Sequence, residues 1–248
     1  MTGAPFDPIE VEAFRRARDA VLGRISAAAQ RAGRDPGGVT LVAVSKTVPA
    51  ARIRVAIAAG LDVLGENRVQ EGATKIPEVD GATWHLLGPL QGNKARRAVE
   101  LFDVLEAVDS VEIARRIDRL AGEVRPGRPL PVLLQVNVAD DPAKAGFPED
   151  DVAAALPELV ALPNLSIGGL MTIGRLVDDA ELARPTFRAL RELLARLQAA
   201  EPRLGPALSM GMSDDFEVAV EEGATIVRVG RALFGARPVA LAAADVAP

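Results

Sequence analysis

The sequence predicts a single α/β domain, a (β/α)8 TIM barrel, and three observations lead to that fold class. The chain has 248 residues, close to the roughly 250 residues that one such barrel needs. Eight short apolar segments alternate with segments of helical periodicity, as in a parallel sheet covered by helices. No Gly-x-Gly-x-x-Gly turn follows an early strand, so an open doubly wound sheet is the weaker alternative.

The first predicted element is a helix that precedes the barrel, within residues 1–37. Asp7 and Pro8 are the residue types favoured at the N-cap and at the first helical position. Apolar residues then recur at helical spacing, namely Phe14, Val21, Ile25 and Ala28. Gly33 follows as a helix-terminating residue.

The barrel is predicted to occupy residues 38–235, as eight strands with helices between them. The strands are placed at 39–45, 61–65, 83–87, 103–107, 131–137, 165–170, 206–210 and 225–229. The helices are placed at 50–59, 67–75, 92–100, 110–123, 149–160, 179–200 and 214–221. Residues 236–248 are expected to form a frayed tail or a short helix, so the whole chain, 1–248, is treated as one domain.

Composition excludes several classes of function. The net charge of −5 disfavours nucleic acid and anionic membranes as partners. The chain has no cysteine and one histidine, His85, which excludes a metal site built from several of these ligands. It also has no tyrosine, which excludes a mechanism in which a tyrosine of this chain is the general acid or base. We expect no signal peptide and no transmembrane segment, and therefore a cytoplasmic protein.

Lys46 is the most informative residue, because it directly follows the first predicted strand. The apolar run before it is short and β-branched, as in a buried parallel strand. An amine at the carboxyl end of such a strand loses part of its hydration and becomes a usable nucleophile toward aldehydes. The alternative is a structural lysine whose side chain extends into solvent.

Polar residues also follow the other predicted strands, where barrel enzymes place their sites. These strand-end positions are Lys46, Asn67, His85, Asn137, Met171-Thr172, Ser209 to Ser213, and Arg228 to Arg231. Two alternatives stay open from the residues alone. A cap of the next helix explains Asn67 nearly as well as a ligand contact does, and for a histidine such as His85 a hydrogen-bonded place in the core is a more common role than catalysis.

The last two strand ends together predict a phosphate site. Residues 209–215 contain a glycine and two serines before a helix, which suits an anion nest, although Ser213 is equally suited to a simple N-cap. Gly230 permits close approach of a ligand to the backbone. Arg228 points to the interior by alternation and needs either a carboxylate or a ligand as its partner. A lysine nucleophile beside a phosphate site suggests a phosphorylated aldehyde held as a Schiff base, most commonly pyridoxal 5′-phosphate (PLP).

Seven segments in order carry a resemblance to a known family. They are AVSKT at 43–47, GENRVQE at 65–71, WHLLGPLQGNK at 84–94, GLM at 169–171, LSMGMSDDF at 208–216, VRVG at 227–230 and LFGAR at 233–237. Together they span almost the whole chain and closely resemble the pyridoxal phosphate homeostasis proteins.

The resemblance implies a barrel of PLP fold type III, similar to the N-terminal domain of alanine racemase but without its C-terminal β domain. It implies that Lys46 forms the Schiff base, that Ser213 and the backbone of Gly230 and Arg231 hold the phosphate, and that Arg228 lies near the pyridine nitrogen. Asn67 and His85 would line the pocket. The full candidate set for PLP binding is Lys46, Asn67, His85, Met171, Ser209, Met210, Ser213, Arg228, Gly230 and Arg231, with no catalytic or metal-binding residue assigned.

The implied function is non-catalytic binding of PLP for buffering or delivery, with PLP-requiring apoenzymes as candidate recipients. The alternative is a weak PLP-dependent racemase or decarboxylase. Two-base chemistry of that kind needs a second acid–base group opposite the lysine, and this chain lacks the tyrosine or cysteine that the related enzymes use. A third hypothesis is a cofactor-free lysine lyase. A monomer is expected, because in the related racemases the C-terminal β domain, which the resemblance implies is missing here, supplies much of the dimer interface.

Overall fold

The computed structural model describes residues 6–139, 141, 144–174 and 178–235. The strands are β1 (Thr40–Val44), β2 (Val63–Glu66), β3 (Thr83–Leu86), β4 (Val104–Val108), β5 (Leu130–Gln135), β6 (Leu165–Met171), β7 (Ala207–Ser209) and β8 (Ile226–Val229). The helices are α1 (Pro8–Arg31), α2 (Ala50–Ala58), α3 (Val69–Lys75), α4 (Ala95–Leu101), α5 (Val111–Val124), α6 (Glu149–Leu159), α7 (Arg184–Ala200), α8 (Phe216–Glu221) and α9 (Arg231–Phe234). The predicted tail, 236–248, lies outside the described residues.

The eight strands form one closed barrel in which every neighbouring pair is parallel. The sheet order follows the chain order, and β1 closes the barrel by pairing with β8, with Thr40 opposite Ile226 and Ala43 opposite Val229. The predicted TIM barrel is therefore confirmed. Each strand lies within two residues of its predicted bounds, because short apolar runs between turn residues mark buried parallel strands clearly.

The helix starts differ more from the sequence predictions. Short 3₁₀ segments at Gly92–Lys94 and Ala180–Ala183 precede α4 and α7, where continuous helices had been predicted. The helix predicted from residue 67 begins at Val69, and Arg68 occupies its N-cap in an extended conformation without a side-chain cap. The cap suggested for Asn67 is therefore not formed. By contrast, Asp7 caps α1 as predicted, accepting from the backbone N–H of Ile9 at 2.9 Å.

The main core lies between the barrel and its surrounding helices. Phe102, Phe187 and Phe216 are among the largest fully buried side chains. Leading helix α1 packs on this layer, and the Phe14 and Phe234 rings meet edge to face with centroids 5.6 Å apart. Within the described ranges, no helix combines the length and apolar character that crossing a bilayer requires.

Parallel closure brings the carboxyl ends of all eight strands to one end of the barrel, where the connecting loops can form a site. The close packing of neighbouring strands in this barrel depends on Gly169 in β6, whose φ is +148°. A Cβ at this position would lie 2.0 Å from the carbonyl oxygen of Ala207 in β7. Glycine is therefore required where β6 approaches β7.

Candidate cofactor site

Lys46 lies in a tight turn at the carboxyl end of β1. The backbone N–H of Val48 donates to the carbonyl of Ser45 at 2.9 Å, which places Lys46 and Thr47 at the centre of the turn. Thr47 has φ +65°, the only positive value at a non-glycine position among the described residues. The chain thus leaves the strand abruptly after Lys46, whose side chain is half-buried.

The Lys46 side chain borders a cavity of about 440 Å³ at the mouth of the barrel. Its walls come from the ends of four strands and comprise Val44, Lys46, Leu87, Met212, Ser213, Asp214, Arg228, Gly230 and Arg231. We call this the Lys46 cavity. A second cavity of about 340 Å³ shares Val44, Lys46, Gly230 and Arg231, so Lys46 lies on the wall between the two. The Lys46 cavity has the size of a site for a small molecule.

Ser213 and Gly230 meet at the wall formed by the loops after β7 and β8. The backbone N–H of Gly230 points at Ser213 Oγ, 3.4 Å away. Gly230 is also the N-cap of α9, whose first N–H groups have no acceptor within the helix. A Cβ at Gly230 would approach the carbonyl oxygen of Val44 to 3.3 Å. Backbone donors and a hydroxyl therefore converge where an anionic group can be bound.

The alternative reading of Ser213 as an ordinary N-cap is wrong. Helix α8 begins after Asp215, and Asp215 Oδ1 accepts from the backbone N–H of Met212 at 2.6 Å. The Ser213 hydroxyl faces Gly230 instead. The neighbouring side chains of Asp214 and Arg231 form an exposed ion pair.

Arg228 is buried and points into the barrel, as strand alternation predicted. It donates to Ser209 Oγ at 2.6 Å and to the carbonyl of Thr172 at 2.8 Å. Burial lowers the pKa of Arg228, and the negative charges of Glu106 and Asp215 oppose that shift. An arginine remains charged at neutral pH despite such a shift.

Glu106 supplies the carboxylate that a buried arginine requires, and it does so through Ser209. Glu106 Oε2 accepts from Ser209 Oγ at 2.5 Å, and Glu106 Oε1 lies 2.6 Å from His85 Nδ1. Burial acts to raise the pKa of Glu106, but the His85 hydrogen bond and the nearby positive charges outweigh it, so the pKa is lowered. An ionised carboxylate only accepts, so His85 carries a proton on Nδ1. Arg228, Ser209, Glu106 and His85 form what we call the interior polar chain.

The structure brings together five of the ten candidate residues on the Lys46 cavity: Lys46, Ser213, Arg228, Gly230 and Arg231. Four others are buried away from its walls, namely His85, Met171, Ser209 and Met210. Among them, His85 and Ser209 belong to the interior polar chain, so His85 is the hydrogen-bonded core histidine that the sequence left open. Met171 packs with Ala107 and Leu133, and Met210 belongs to the main core.

The expectation that Asn67 lines the same pocket as Lys46 is not met. Asn67 borders a neighbouring cavity of about 590 Å³, together with Arg68, Val69, Gln70, Pro89, Gln91 and Lys94. The loops after β2 and β3 run close together here, since a Cβ on Gly88 would lie 2.2 Å from the Asn67 carbonyl oxygen. Asn67 itself is exposed.

Glu106 is the buried charged residue next to the site that sequence reasoning missed. A signal was available, because Glu106 is the single charged residue in the otherwise apolar strand Val104–Val108. Val44 and Leu87 also line the cavity, but nothing distinguishes them from core residues in the sequence. Among the residues that the structure describes, no cluster of His, Cys, Asp and Glu could hold a metal ion.

Comparison with known proteins identifies the family of this chain. Residues 17–238 match the family model described as alanine racemase, N-terminal domain. The pyridoxal phosphate homeostasis protein of Pseudomonas aeruginosa is 47% identical over 222 residues, covering 88% of this chain and 93% of the relative. The Escherichia coli protein of that name is 44% identical over 230 residues, covering 88% and 94%. The chain belongs to the pyridoxal phosphate homeostasis protein family.

Solved structures of similar proteins show how the family fold relates to PLP. PipY of Synechococcus elongatus with PLP bound is 46% identical, with a TM-score of 0.76 over 85% of this chain and 100% of that one. The PLP-free form has a TM-score of 0.77 and covers 86% and 99% at 47% identity. An alanine racemase of Clostridium difficile shares the fold at 15% identity, with a TM-score of 0.71 over 92% of this chain and 58% of that one. PLP is accordingly the cofactor of this homeostasis protein family.

Proposed function

We propose that this chain binds PLP as a Schiff base on Lys46 and that it buffers PLP or delivers it to PLP-requiring apoenzymes, without catalytic turnover. One observation carries the proposal. The Lys46 cavity combines an amine, a hydroxyl at Ser213 and the backbone N–H of Gly230 around a volume of about 440 Å³. The PLP-bound structure of a relative 46% identical to this chain supports it.

Capture and release are the same reversible condensation. The Lys46 amine adds to the aldehyde carbon, the carbon–nitrogen double bond forms, and the aldehyde oxygen leaves as water. Water or another amine reverses the step and regenerates the Lys46 amine. The Ser213 hydroxyl and the first N–H groups of α9 would hold the phosphate of PLP. Such a site keeps a reactive aldehyde away from other amines yet permits release.

Arg228 suits storage better than catalysis. Its guanidinium is held by Ser209 and Thr172 and stays positively charged. If PLP binds with its pyridine nitrogen toward Arg228, as the family resemblance implies, this fixed positive charge would disfavour protonation of that nitrogen. An unprotonated ring is a poorer electron sink, so carbanion chemistry gains little stabilisation.

The relatives are named as homeostasis proteins rather than enzymes, which supports a non-enzymatic role. The chain also has no tyrosine and no cysteine to serve as a second acid–base group. A weak racemase or decarboxylase is the competing function. Solvent deuterium incorporation into L-alanine, followed by NMR on PLP-loaded protein, tests the racemase arm. We expect no incorporation above that seen with the Lys46→Ala variant, and sustained turnover would overturn the storage role.

The decisive test is the visible absorption spectrum of wild type, Lys46→Ala and Lys94→Ala, each loaded with PLP and then treated with borohydride. Borohydride adds hydride to the carbon–nitrogen double bond and fixes the adduct as a secondary amine. The chain has four lysines, Lys46, Lys75, Lys94 and Lys144, so peptide mass spectrometry locates the adduct without ambiguity. Lys94 is the matched control because it lines the neighbouring cavity.

We expect a yellow band and a Lys46 adduct in wild type and in Lys94→Ala, and neither in Lys46→Ala. A protein that takes up no PLP would overturn the proposal and make the cofactor-free lysine enzyme the leading hypothesis. An adduct on any other lysine would overturn the assignment to Lys46.

Two further parts of the proposal concern the state of the protein in the cell. We propose a cytoplasmic monomer, with neither nucleic acid nor membrane as a partner, and the net charge of −5 supports the last point. Size-exclusion chromatography with light scattering tests the oligomeric state, and a stable dimer would contradict the proposal. Cell fractionation tests the location.

A further inference from the structure

A second buried charge cluster lies beside Lys46 but outside the cavity. Lys75 Nζ is 2.7 Å from Glu66 Oε1 and 2.6 Å from Glu71 Oε1. Glu66 is fully buried, and Lys75 is nearly so. Burying one ammonium with two carboxylates costs desolvation energy and is weak evidence for a stabilising role. The contacts that the cluster makes with the backbone suggest another role.

The cluster contacts the residues on both sides of Lys46. Before it, Ser45 donates from Oγ to Glu66 Oε1 at 2.7 Å, and the Ser45 carbonyl accepts from Lys75 Nζ at 2.7 Å. After it, the backbone N–H of Thr47 donates to Glu71 Oε1. One ammonium therefore connects the two carboxylates that hold the turn around Lys46. We call Glu66, Glu71 and Lys75 the turn clamp.

The turn itself explains why a clamp is needed. Thr47 occupies the third position of the turn with φ +65°, a conformation that glycine adopts freely and a β-branched residue does not. Without external contacts the local sequence therefore favours other conformations of the turn. Burial acts to raise the pKa of Glu71, but hydrogen bonds from Lys75 and Thr47 outweigh it and lower the pKa. Glu71 is thus an ionised acceptor for the strained Thr47 amide at neutral pH.

We propose that Glu66, Glu71 and Lys75 are positioning residues that hold the Ser45–Val48 turn and so direct the Lys46 amine toward the aldehyde of PLP. This inference rests on the proposed function of Lys46. A site whose lysine is already oriented loses less conformational entropy when it binds. Loosening the turn should therefore weaken PLP binding although none of the three residues lines the Lys46 cavity.

The test compares Glu71→Ala with Glu71→Gln. The alanine variant removes the acceptor of the Thr47 amide, whereas glutamine keeps an oxygen in its place and removes only the charge. Glu222→Gln is the stability control, because Glu222 is a buried carboxylate that, like Glu71, is paired with basic side chains, here arginines of α7, and it lies outside both the turn clamp and the cavity lining. For each variant we would measure PLP affinity by absorbance titration and Thr47 amide hydrogen exchange by NMR in the PLP-free protein.

We expect Glu71→Ala to weaken PLP binding about fivefold, the scale of one net hydrogen bond, and to accelerate Thr47 exchange. Glu71→Gln should restore most of both properties, and Glu222→Gln should leave both unchanged. Wild-type affinity and exchange in Glu71→Ala would overturn the inference. If Glu71→Gln changes PLP affinity and Thr47 exchange as much as Glu71→Ala does, the effect is due to charge and not to positioning. If Glu222→Gln changes them as much, the effect is due to general stability. Either result would also overturn the inference.

Failure of the proposed function is distinguishable from failure of this inference. If wild type forms no adduct with PLP, the proposed function fails. The exchange rate of the Thr47 amide still reports whether Glu71 holds the turn, because it is measured without PLP.

Discussion

Removing the Glu106 carboxylate should destabilise the barrel strongly. Glu106→Ala deletes the acceptor of the Ser209 hydroxyl and the partner of His85. Because Ser209 links Glu106 to Arg228, the variant also removes the carboxylate that balances the buried Arg228 charge. Removing one partner of a buried ion pair costs about 3–5 kcal/mol. The Arg228 guanidinium keeps its direct bonds to Ser209 and Thr172, so the lower limit applies. We expect a loss of about 3 kcal/mol in the free energy of unfolding.

Urea denaturation at pH 7, followed by circular dichroism, measures this loss. If the slope of the unfolding free energy against urea concentration is the same in variant and wild type, their stabilities can be compared directly. Glu106→Gln keeps the volume and one acceptor oxygen, so we expect it to lose less, about 1–2 kcal/mol. Glu217→Ala is the surface control, because the Glu217 ion pair with Arg24 is solvent-exposed and contributes at most about 1 kcal/mol. If Glu106→Ala costs no more than Glu217→Ala, the interior polar chain does not stabilise Arg228 and the reasoning fails.

Three further predictions follow from other parts of the structure. Ser213→Ala should weaken PLP binding about tenfold and leave pyridoxal, which lacks the phosphate, unaffected; equal effects on both ligands in absorbance titrations would remove Ser213 from the phosphate site. Gly169→Ala should cost more than about 3 kcal/mol in urea unfolding, because its Cβ would overlap a carbonyl of β7. Gly81→Ala is the control, because Gly81 also has a positive φ, +78°, but lies in open space; it should cost about 1 kcal/mol. Similar costs for the two variants would contradict a steric overlap at Gly169. For Glu222, burial alone would raise the pKa, but hydrogen bonds from arginines of α7 outweigh it and lower the pKa. Its stabilisation is therefore present above the unfolded-state pKa and lost as pH falls through the folded-state pKa. Glu222→Gln should cost about 1–2 kcal/mol at pH 7 and much less near pH 3, and a cost independent of pH would contradict the assigned charge pairing.

Secondary structure and fold class were predictable here because the relevant signals are local. The strands are short apolar runs separated by helical segments, and every run became a strand of one parallel barrel. The helix starts were less predictable, since a cap depends on where one side chain points. Asp215, and not Ser213, occupies the N-cap position of α8, and neither side chain caps the helix: Asp215 accepts from the backbone N–H of Met212, and the Ser213 hydroxyl faces the loop after β8.

Prediction of the candidate site was less complete, for a similar reason. Lys46, Ser213, Arg228, Gly230 and Arg231 were found from strand-end positions, and all line one cavity. Strand ends, however, show only that residues share one end of the barrel. They do not show whether a side chain turns into the barrel, as His85 does, or outward, as Asn67 does.

The amino-acid sequence alone was enough to predict the (β/α)8 barrel, the position of Lys46 at the end of its first strand and an anion site after its last two strands. These features follow from periodicity and from the common polarity of parallel strands. The partners across the interior required barrel closure, which brings Glu106 of β4 to Ser209 of β7 and through it to Arg228 of β8. Contacts between residues so distant in the chain depend on strand tilt and stagger, which no local pattern encodes.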